Sequence, residues 1–121
     1  MILRATFENI YSIKEETQIS FVAGKSNAHS SHVSRAEKRD DISVLKAGIV
    51  YGANASGKSN IIKAIALLQQ MANGGFPKSL MEPFKLADTT EQNSKVELEF
   101  KTKGKCYAYG MEFTVGGIKE E

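Results

Sequence analysis

The feature that most constrains this chain is the stretch GANASGKS at positions 52–59. It matches the pattern G-x-x-x-x-G-K-[ST] at every fixed position. Gly52 and Gly57 let the backbone turn tightly and approach a ligand without a Cβ in the way. The N–H groups between them can then form a concave nest for anionic oxygens. In such a loop the ammonium of Lys58 lies against the β- and γ-phosphates, and the hydroxyl of Ser59 ligates Mg²⁺.

The residues on either side of the loop agree with this interpretation. Residues 44–51, VLKAGIVY, are mostly apolar and predict a buried strand. The run after the loop has Ile61, Ile65 and Leu68 at helical spacing, which predicts a helix beginning near Gly57. Strand, glycine loop and helix in this order form the context that the motif requires. The alternative is a glycine loop that only turns the chain.

Composition limits the remaining function classes. The chain has 121 residues, enough for one small domain or part of a larger one. A net charge of +2 argues neither for nor against nucleic acid, and no apolar stretch approaches the length of a membrane span. Cys106 is the single cysteine, so no internal disulfide can form, and we expect a reducing cytoplasm. His29 and His32 invite a metal site, but no further ligands stand nearby in the sequence.

Two strands are predicted before the phosphate loop. Leu3 and Phe7 alternate with polar residues in a half-buried first strand, and Ile19 and Phe21 do so in a second strand that pairs with it. Residues 24–43 are polar and predict a long loop. The cations Arg35, Lys38 and Arg39 of this loop are candidates to reach the base or ribose of a nucleotide, and the alternative is a solvated loop.

A helix stop and a hairpin are predicted after the phosphate loop. Asn73-Gly74-Gly75 ends the helix. Val96, Leu98 and Phe100 alternate with polar residues in a strand, and Lys103-Gly104 is a turn signal. The returning strand places Tyr107, Tyr109, Met111, Phe113 and Val115 on one face, and Gly116-Gly117 then turns the chain again. We expect this face to be sheet core; the alternative is that the tyrosine pair stacks on bases.

The loop is more specific than the bare pattern, because Asn54 lies inside it and Asn60 follows Ser59 in YGANASGKSN. This sequence resembles the ATPases of the SMC, RecF and OLD group within the ABC class. FENIYSI at 7–13 is similar to their F-x-N-x-x-S-[FIL] first strand and turn. The similarity is greatest to AAA-family ATPases of the RloA and abortive-infection type. There, P-F-x-L and a strongly paired hairpin follow the helix, as do PFKL and YAYG here.

The resemblance implies an α/β fold: the N-terminal lobe of a P-loop NTPase of the ABC-ATPase type, with an antiparallel β layer beside the phosphate-loop strand and helix. The lobe would span residues 1–121 and bind ATP and Mg²⁺ in the cytoplasm, in DNA-related or phage-defence processes. Its implied partners are the C-terminal half of the same ATPase and a second ATPase subunit that closes with it around ATP. DNA or an effector nuclease are further options, and no membrane is implied. The residues assigned to the nucleotide are Gly52, Asn54, Ala55, Ser56, Gly57, Lys58, Ser59 and Asn60, with Ser59 as the Mg²⁺ ligand.

Parts of the family pattern are missing. No apolar run ends in Asp-Glu after the loop, and there is no serine–glycine signature sequence and no switch histidine. In this class the acidic pair holds Mg²⁺ and positions the attacking water, and it comes from the C-terminal half. We therefore expect an incomplete lobe with no catalytic residue of its own, which binds nucleotide weakly alone and hydrolyses it negligibly. The alternative function is a non-catalytic nucleotide-binding or assembly module.

Overall fold

The structure is a computed structural model. It describes residues 1–25, 28–35, 42–52, 57–75, 79, 81–85, 92–114 and 117–120. These residues form one α-helix, seven β-strands and one short 3₁₀ turn. The elements are β1 (Ile2–Glu8), β2 (Thr17–Ser20), the 3₁₀ turn (Ser30–His32), β3 (Val33–Ser34), β4 (Val44–Leu45), α1 (Lys58–Ala72), β5 (Ser94–Thr102), β6 (Lys105–Thr114) and β7 (Gly117–Glu120).

Five strands form one antiparallel sheet in the order β2-β1-β5-β6-β7. The pairing of β1 with β2 confirms the two predicted strands before the phosphate loop. β3 and β4 pair in a separate two-stranded ribbon. That ribbon is tied to the start of β1 through Phe21, whose N–H donates to Leu3 O at 2.7 Å and whose carbonyl accepts from the Leu45 N–H at 2.8 Å.

The core lies between α1 and one face of the sheet. Alternation along the strands puts Phe7, Val96 and Phe113 on this face, all less than 2% exposed. The helix contributes Leu67 and Leu68, which are equally buried. Each large apolar side chain removed from water in this way contributes about 1.5–3 kcal/mol. The remaining members of the core cluster are Ala5, Ile10, Tyr11, Ala64, Met71, Met81 and Met111.

Both ends of α1 agree with the sequence. The residue that precedes it, Gly57, has a φ of +92°, and no side chain caps the first turn. At the other end the Asn73 N–H donates to the carbonyls of Gln69 and Gln70, and Gly74 has a φ of +82°. A left-handed glycine here ends the helix at little steric cost. The predicted stop at residues 73–75 is therefore confirmed.

The β5–β6 hairpin is also confirmed. Lys103 and Gly104 both have positive φ, +49° and +75°, as a tight turn that matches the strand twist requires. Across the hairpin Leu98 faces Tyr109 and Phe100 faces Tyr107, so the predicted apolar alternation is real. Cys106 is an exposed strand residue. Val115 and Gly116, part of the predicted second turn, lie outside the described residues.

The prediction of a buried strand over residues 44–51 was wrong. The strand stops after Val44–Leu45, and Ile49, Val50 and Tyr51 are 89%, 55% and 90% exposed. Apolar composition signals burial, but a buried strand needs a neighbour on each side. No strand of the described part of the chain pairs with residues 47–51.

Arg35 also lies away from where the nucleotide base was expected. It lines a small cavity with Met1 and Lys101, beside the start of β1. The phosphate-loop helix begins beside Ser12, past the other end of β1, about 20 Å away at the rise of a strand. The cause is the ribbon of β3 and β4, which is tied to the start of β1. Lys38 and Arg39 lie outside the described residues. No helix of the described residues is long and apolar enough to cross a membrane.

Candidate nucleotide site

The two ends of the predicted phosphate loop are held together by one side chain. Lys58 Nζ donates a hydrogen bond to the carbonyl oxygen of Gly52. The lysine at the start of α1 thus folds back onto the first residue of the loop. Asn54, Ala55 and Ser56 of the candidate set lie outside the described residues. Ser59 is exposed in the first turn of α1.

The first turn of α1 leaves backbone donors available. The Asn60 N–H donates to Gly57 O at 3.1 Å, and no side chain caps the helix. The first N–H groups of a helix have no partner within it and carry the positive end of its dipole. Together with the Lys58 ammonium, this arrangement suits an anion.

Ser12, which follows β1, positions this first turn. Asn60 Nδ2 donates to Ser12 Oγ at 3.0 Å. A Cβ added at Gly57 would lie 2.7 Å from the same oxygen, well inside van der Waals contact. The glycine is therefore required twice, for its positive φ and for the approach of Ser12. The sequence assigned Gly57 and Asn60 to the nucleotide, and the structure adds that both contact Ser12.

Asn9 forms a junction behind Ser12. Its side-chain amide donates to the carbonyls of Gln92 at 3.2 Å and Asn93 at 3.4 Å, and its side-chain oxygen accepts from the Phe84 N–H at 3.3 Å. Its backbone carbonyl accepts from Ser94 Oγ at 2.6 Å. Asn9 is only 2% exposed, so these bonds satisfy a buried amide. The F-x-N-x-x-S and P-F-x-L segments thus meet beside the phosphate-loop helix.

Tyr11 and Glu82 join the same corner. The Tyr11 N–H donates to Glu82 O at 2.8 Å, and Lys63 Nζ lies 4.4 Å from the centre of the Tyr11 ring. Burial, with the negative charge of Glu82, raises the pKa of the Tyr11 hydroxyl to about 12. The hydrogen bond from Lys85, with the charges of Lys63 and Lys85, holds the pKa of the Glu82 carboxyl below its usual range.

Backbone strain is concentrated in this turn. Asn9 and Tyr11 have φ values of +48° and +53°, in the left-handed region that residues other than glycine seldom adopt. The turn is closed by reciprocal bonds of 2.9 Å between Ile10 and Ile13. Strain of this kind persists where the surroundings fix the conformation, and it occurs often at ligand sites. The turn borders a cavity of about 300 Å³ between Tyr11, Asn60, Lys63 and Phe84.

The other predicted side chains lie elsewhere. The His29 and His32 rings stack at 5.7 Å, and no group of three or more His, Cys, Asp or Glu residues that could hold a metal occurs within the described ranges. The roles of Asn9, Ser12 and Glu82 were missed by sequence reasoning. Asn9 and Ser12 belong to the F-x-N-x-x-S pattern, and Glu82 only precedes the PFKL segment. The contacts join residues from 48 to 85 positions apart, and no local pattern reports that.

Comparison with known proteins places the chain in a family. No curated protein matches the chain significantly. Residues 49–118, more than half of the chain, match the family described as "AAA domain, putative AbiEii toxin, Type IV TA system". The match begins just before the phosphate loop and includes α1 and the β5–β6 hairpin. It indicates nucleotide binding by a P-loop ATPase-like domain. The chain belongs to this AAA domain family.

Proposed function

We propose that the chain is the ATP-binding lobe of an ABC-class ATPase that acts in abortive infection or another phage-defence process. The observation that carries the proposal is the start of α1. There an uncapped helix, a left-handed glycine and the loop lysine occur together inside the family match. The phage-defence context rests on the description of the family and on the resemblance to abortive-infection ATPases.

The residues present suit ATP with Mg²⁺. Gly57 carries no Cβ where one would meet Ser12, and the first turn of α1 offers backbone N–H groups. In the proposal the Lys58 ammonium leaves Gly52 O and pairs with the β- and γ-phosphates, since a phosphate offers a stronger, charge-assisted partner than a carbonyl. The exposed Ser59 hydroxyl ligates Mg²⁺, and the ion neutralises phosphate charge when it is bound.

The exposed apolar run before the loop supports a proposal about partners. Ile49, Val50 and Tyr51 stand beside Gly52 with most of their surface in solvent. Apolar surface left in water forgoes about 25 cal/mol per Å², so a partner that covers this run would stabilise the protein. We propose that strands from the C-terminal half of the same ATPase cover this exposed run. That half would also supply the acidic pair. A second ATPase subunit would then close over the nucleotide.

The Lys58→Ala variant tests nucleotide binding. We expect the affinity for a fluorescent ATP analogue with Mg²⁺ to fall roughly 10- to 100-fold, because charge-assisted hydrogen bonds contribute about 1.5–3 kcal/mol. Lys119→Ala, which removes an exposed lysine from β7, is the matched control and should bind as the unaltered chain does. Equal affinities for Lys58→Ala and the control would end the proposal.

A hydrolysis assay separates the ATPase from the alternative of a non-catalytic module. The 121-residue chain alone should release negligible phosphate from ATP. Addition of a polypeptide carrying the C-terminal half of the ATPase should restore hydrolysis, and Lys58→Ala should abolish it again. Nucleotide binding without any restored hydrolysis would favour the non-catalytic module. Robust ATP hydrolysis by the chain alone would contradict the hypothesis that this lobe is incomplete.

A further inference from the structure

The tip of the β5–β6 hairpin concentrates positive charge that the overall composition does not reveal. Lys101, Lys103 and Lys105 lie within five residues of one another, although the whole chain has a net charge of only +2. Arg35 joins Lys101 and Lys103 around a cavity of about 230 Å³, and no carboxylate is among its lining residues in the described part of the chain. Glu99, the nearest carboxylate along β5, is paired with Arg4 at 3.2 Å.

A partly exposed aromatic pair lies at the same end of the sheet. Phe100 and Tyr107 face each other across β5 and β6, with ring centroids 5.6 Å apart and planes 22° apart. Tyr107 is 47% exposed. The rings open into a groove of about 790 Å³ between the sheet and α1, which is lined mainly by apolar side chains such as Ile2 and Leu68.

Lys105 and the ring of Tyr107 are spaced as one strand of nucleic acid requires. Lys105 and Tyr107 are two residues apart on β6, so they share a face at a distance of about 7 Å. A single nucleotide spans that distance from its phosphate to its base. Proteins that bind single strands combine a positive surface for the phosphates with aromatic rings on which bases stack. A duplex would keep its bases stacked on one another and leave the groove unused.

We propose that the hairpin tip and the aromatic groove behind it bind a single strand of nucleic acid, with Lys103 and Lys105 on phosphates and Tyr107 stacked on a base. The surface lies at the opposite end of β1 from Ser12, so it is distinct from the nucleotide site. The proposal therefore goes beyond the proposed function and does not depend on it.

Fluorescence anisotropy with a labelled oligothymidylate of about 20 nucleotides tests this surface. Between about 50 and 200 mM salt, binding should weaken with a log–log slope of about 0.7 for each phosphate contacted. Lys103→Ala combined with Lys105→Ala should lower that slope by about 1.4 and weaken binding at low salt by roughly tenfold. The control is Lys14→Ala combined with Lys119→Ala, which removes the same charge past the far end of the hairpin.

Tyr107→Leu tests the stacked base separately from the charge. Affinity should fall roughly tenfold with the salt slope unchanged, since stacking is not ionic. Tyr51→Leu, which alters another exposed tyrosine, should bind as before. Circular dichroism melting of every variant establishes that each is folded.

Three results would overturn the inference. One is the absence of salt-dependent binding. Another is an equal loss of affinity in the Lys103/Lys105 and Lys14/Lys119 double variants, which would mean that the oligonucleotide is attracted by overall charge and not by this surface. The third is tighter binding of a duplex of the same length with no effect of Tyr107→Leu. Lys58→Ala should leave oligothymidylate binding unchanged, which distinguishes failure here from failure of the nucleotide proposal.

Discussion

The contact between Ser12 and Gly57 yields a stability prediction with an internal control. Gly57→Ala places a methyl group at a φ of +92°, where an L-residue costs about 1–2 kcal/mol. The same methyl would lie 2.7 Å from Ser12 Oγ, so this exposed hydroxyl must turn away and lose the hydrogen bond from Asn60, which costs about 0.5–1.5 kcal/mol more. The substitution should therefore destabilise the chain by roughly 1.5–3.5 kcal/mol.

A second glycine separates the two contributions. Gly74 has a φ of +82°, and nothing lies within 4 Å of a Cβ added to it. Gly74→Ala should thus show only the conformational cost of about 1–2 kcal/mol. The difference between the unfolding free energies lost in Gly57→Ala and in Gly74→Ala is the contribution of the Ser12 contact.

A double-mutant cycle provides a further check. Ser12→Ala removes Oγ and leaves the Ser12 Cβ 3.8 Å from the new methyl, an ordinary contact. In this background Gly57→Ala should cost no more than Gly74→Ala, so the coupling energy should be about 0.5–1.5 kcal/mol.

Urea denaturation followed by far-ultraviolet circular dichroism measures each free energy of unfolding. The ATP analogue used for Lys58→Ala should also bind less tightly to Gly57→Ala, because the first turn of α1 must shift. The reasoning fails if Gly57→Ala and Gly74→Ala are equally destabilising, or if removal of the Ser12 hydroxyl leaves the cost of Gly57→Ala unchanged.

Two further predictions concern the same corner. One of the tyrosines should titrate at a pH of about 12 in an ultraviolet absorbance titration, and Tyr11→Phe should remove that step. Because the pKa of Tyr11 is raised on folding, its contribution to stability is complete below about pH 10 and is lost as the pH rises through 12; a denaturation series in which Tyr11→Phe is as alkali-sensitive as the unaltered chain would contradict this. Asn9→Ala should lower the free energy of unfolding by about 1–3 kcal/mol, because it removes the hydrogen bonds that the buried Asn9 amide makes to the backbone of Phe84, Gln92 and Asn93. Asn73→Ala, at an exposed position, is its control, and similar losses in the two variants would count against the junction.

Local elements were predictable because their signals are local. The spacing of Ile61, Ile65 and Leu68, with Gly57 before them and the stop at Asn73, placed the helix to within one residue at each end. Period-two alternation and the Lys103-Gly104 turn located the hairpin for the same reason. These patterns report which face of an element is apolar and where the backbone must bend.

Long-range features were not predictable. An apolar run predicts burial without naming what covers it, so Ile49 and Tyr51 were misplaced. The contact of Ser12 with Asn60 joins residues 48 positions apart, and the position of Arg35 depends on how the β3–β4 ribbon is tethered. In the candidate site, the motif assigned residues to the ligand but gave no information on what holds those residues in place.

The junction at Asn9 has a consequence for the order in which the chain matures on the ribosome. Its partners are 75 to 85 residues downstream, whereas α1 is complete by residue 72. Helix formation takes microseconds or less, but synthesis proceeds at about 5–20 residues per second. The phosphate-loop helix is therefore synthesised seconds before residues 84–94, whose contacts with Asn9 complete the corner beside the start of that helix. Under the proposed function, a nascent chain should begin to bind nucleotide only when β5 leaves the exit tunnel and pairs with β1.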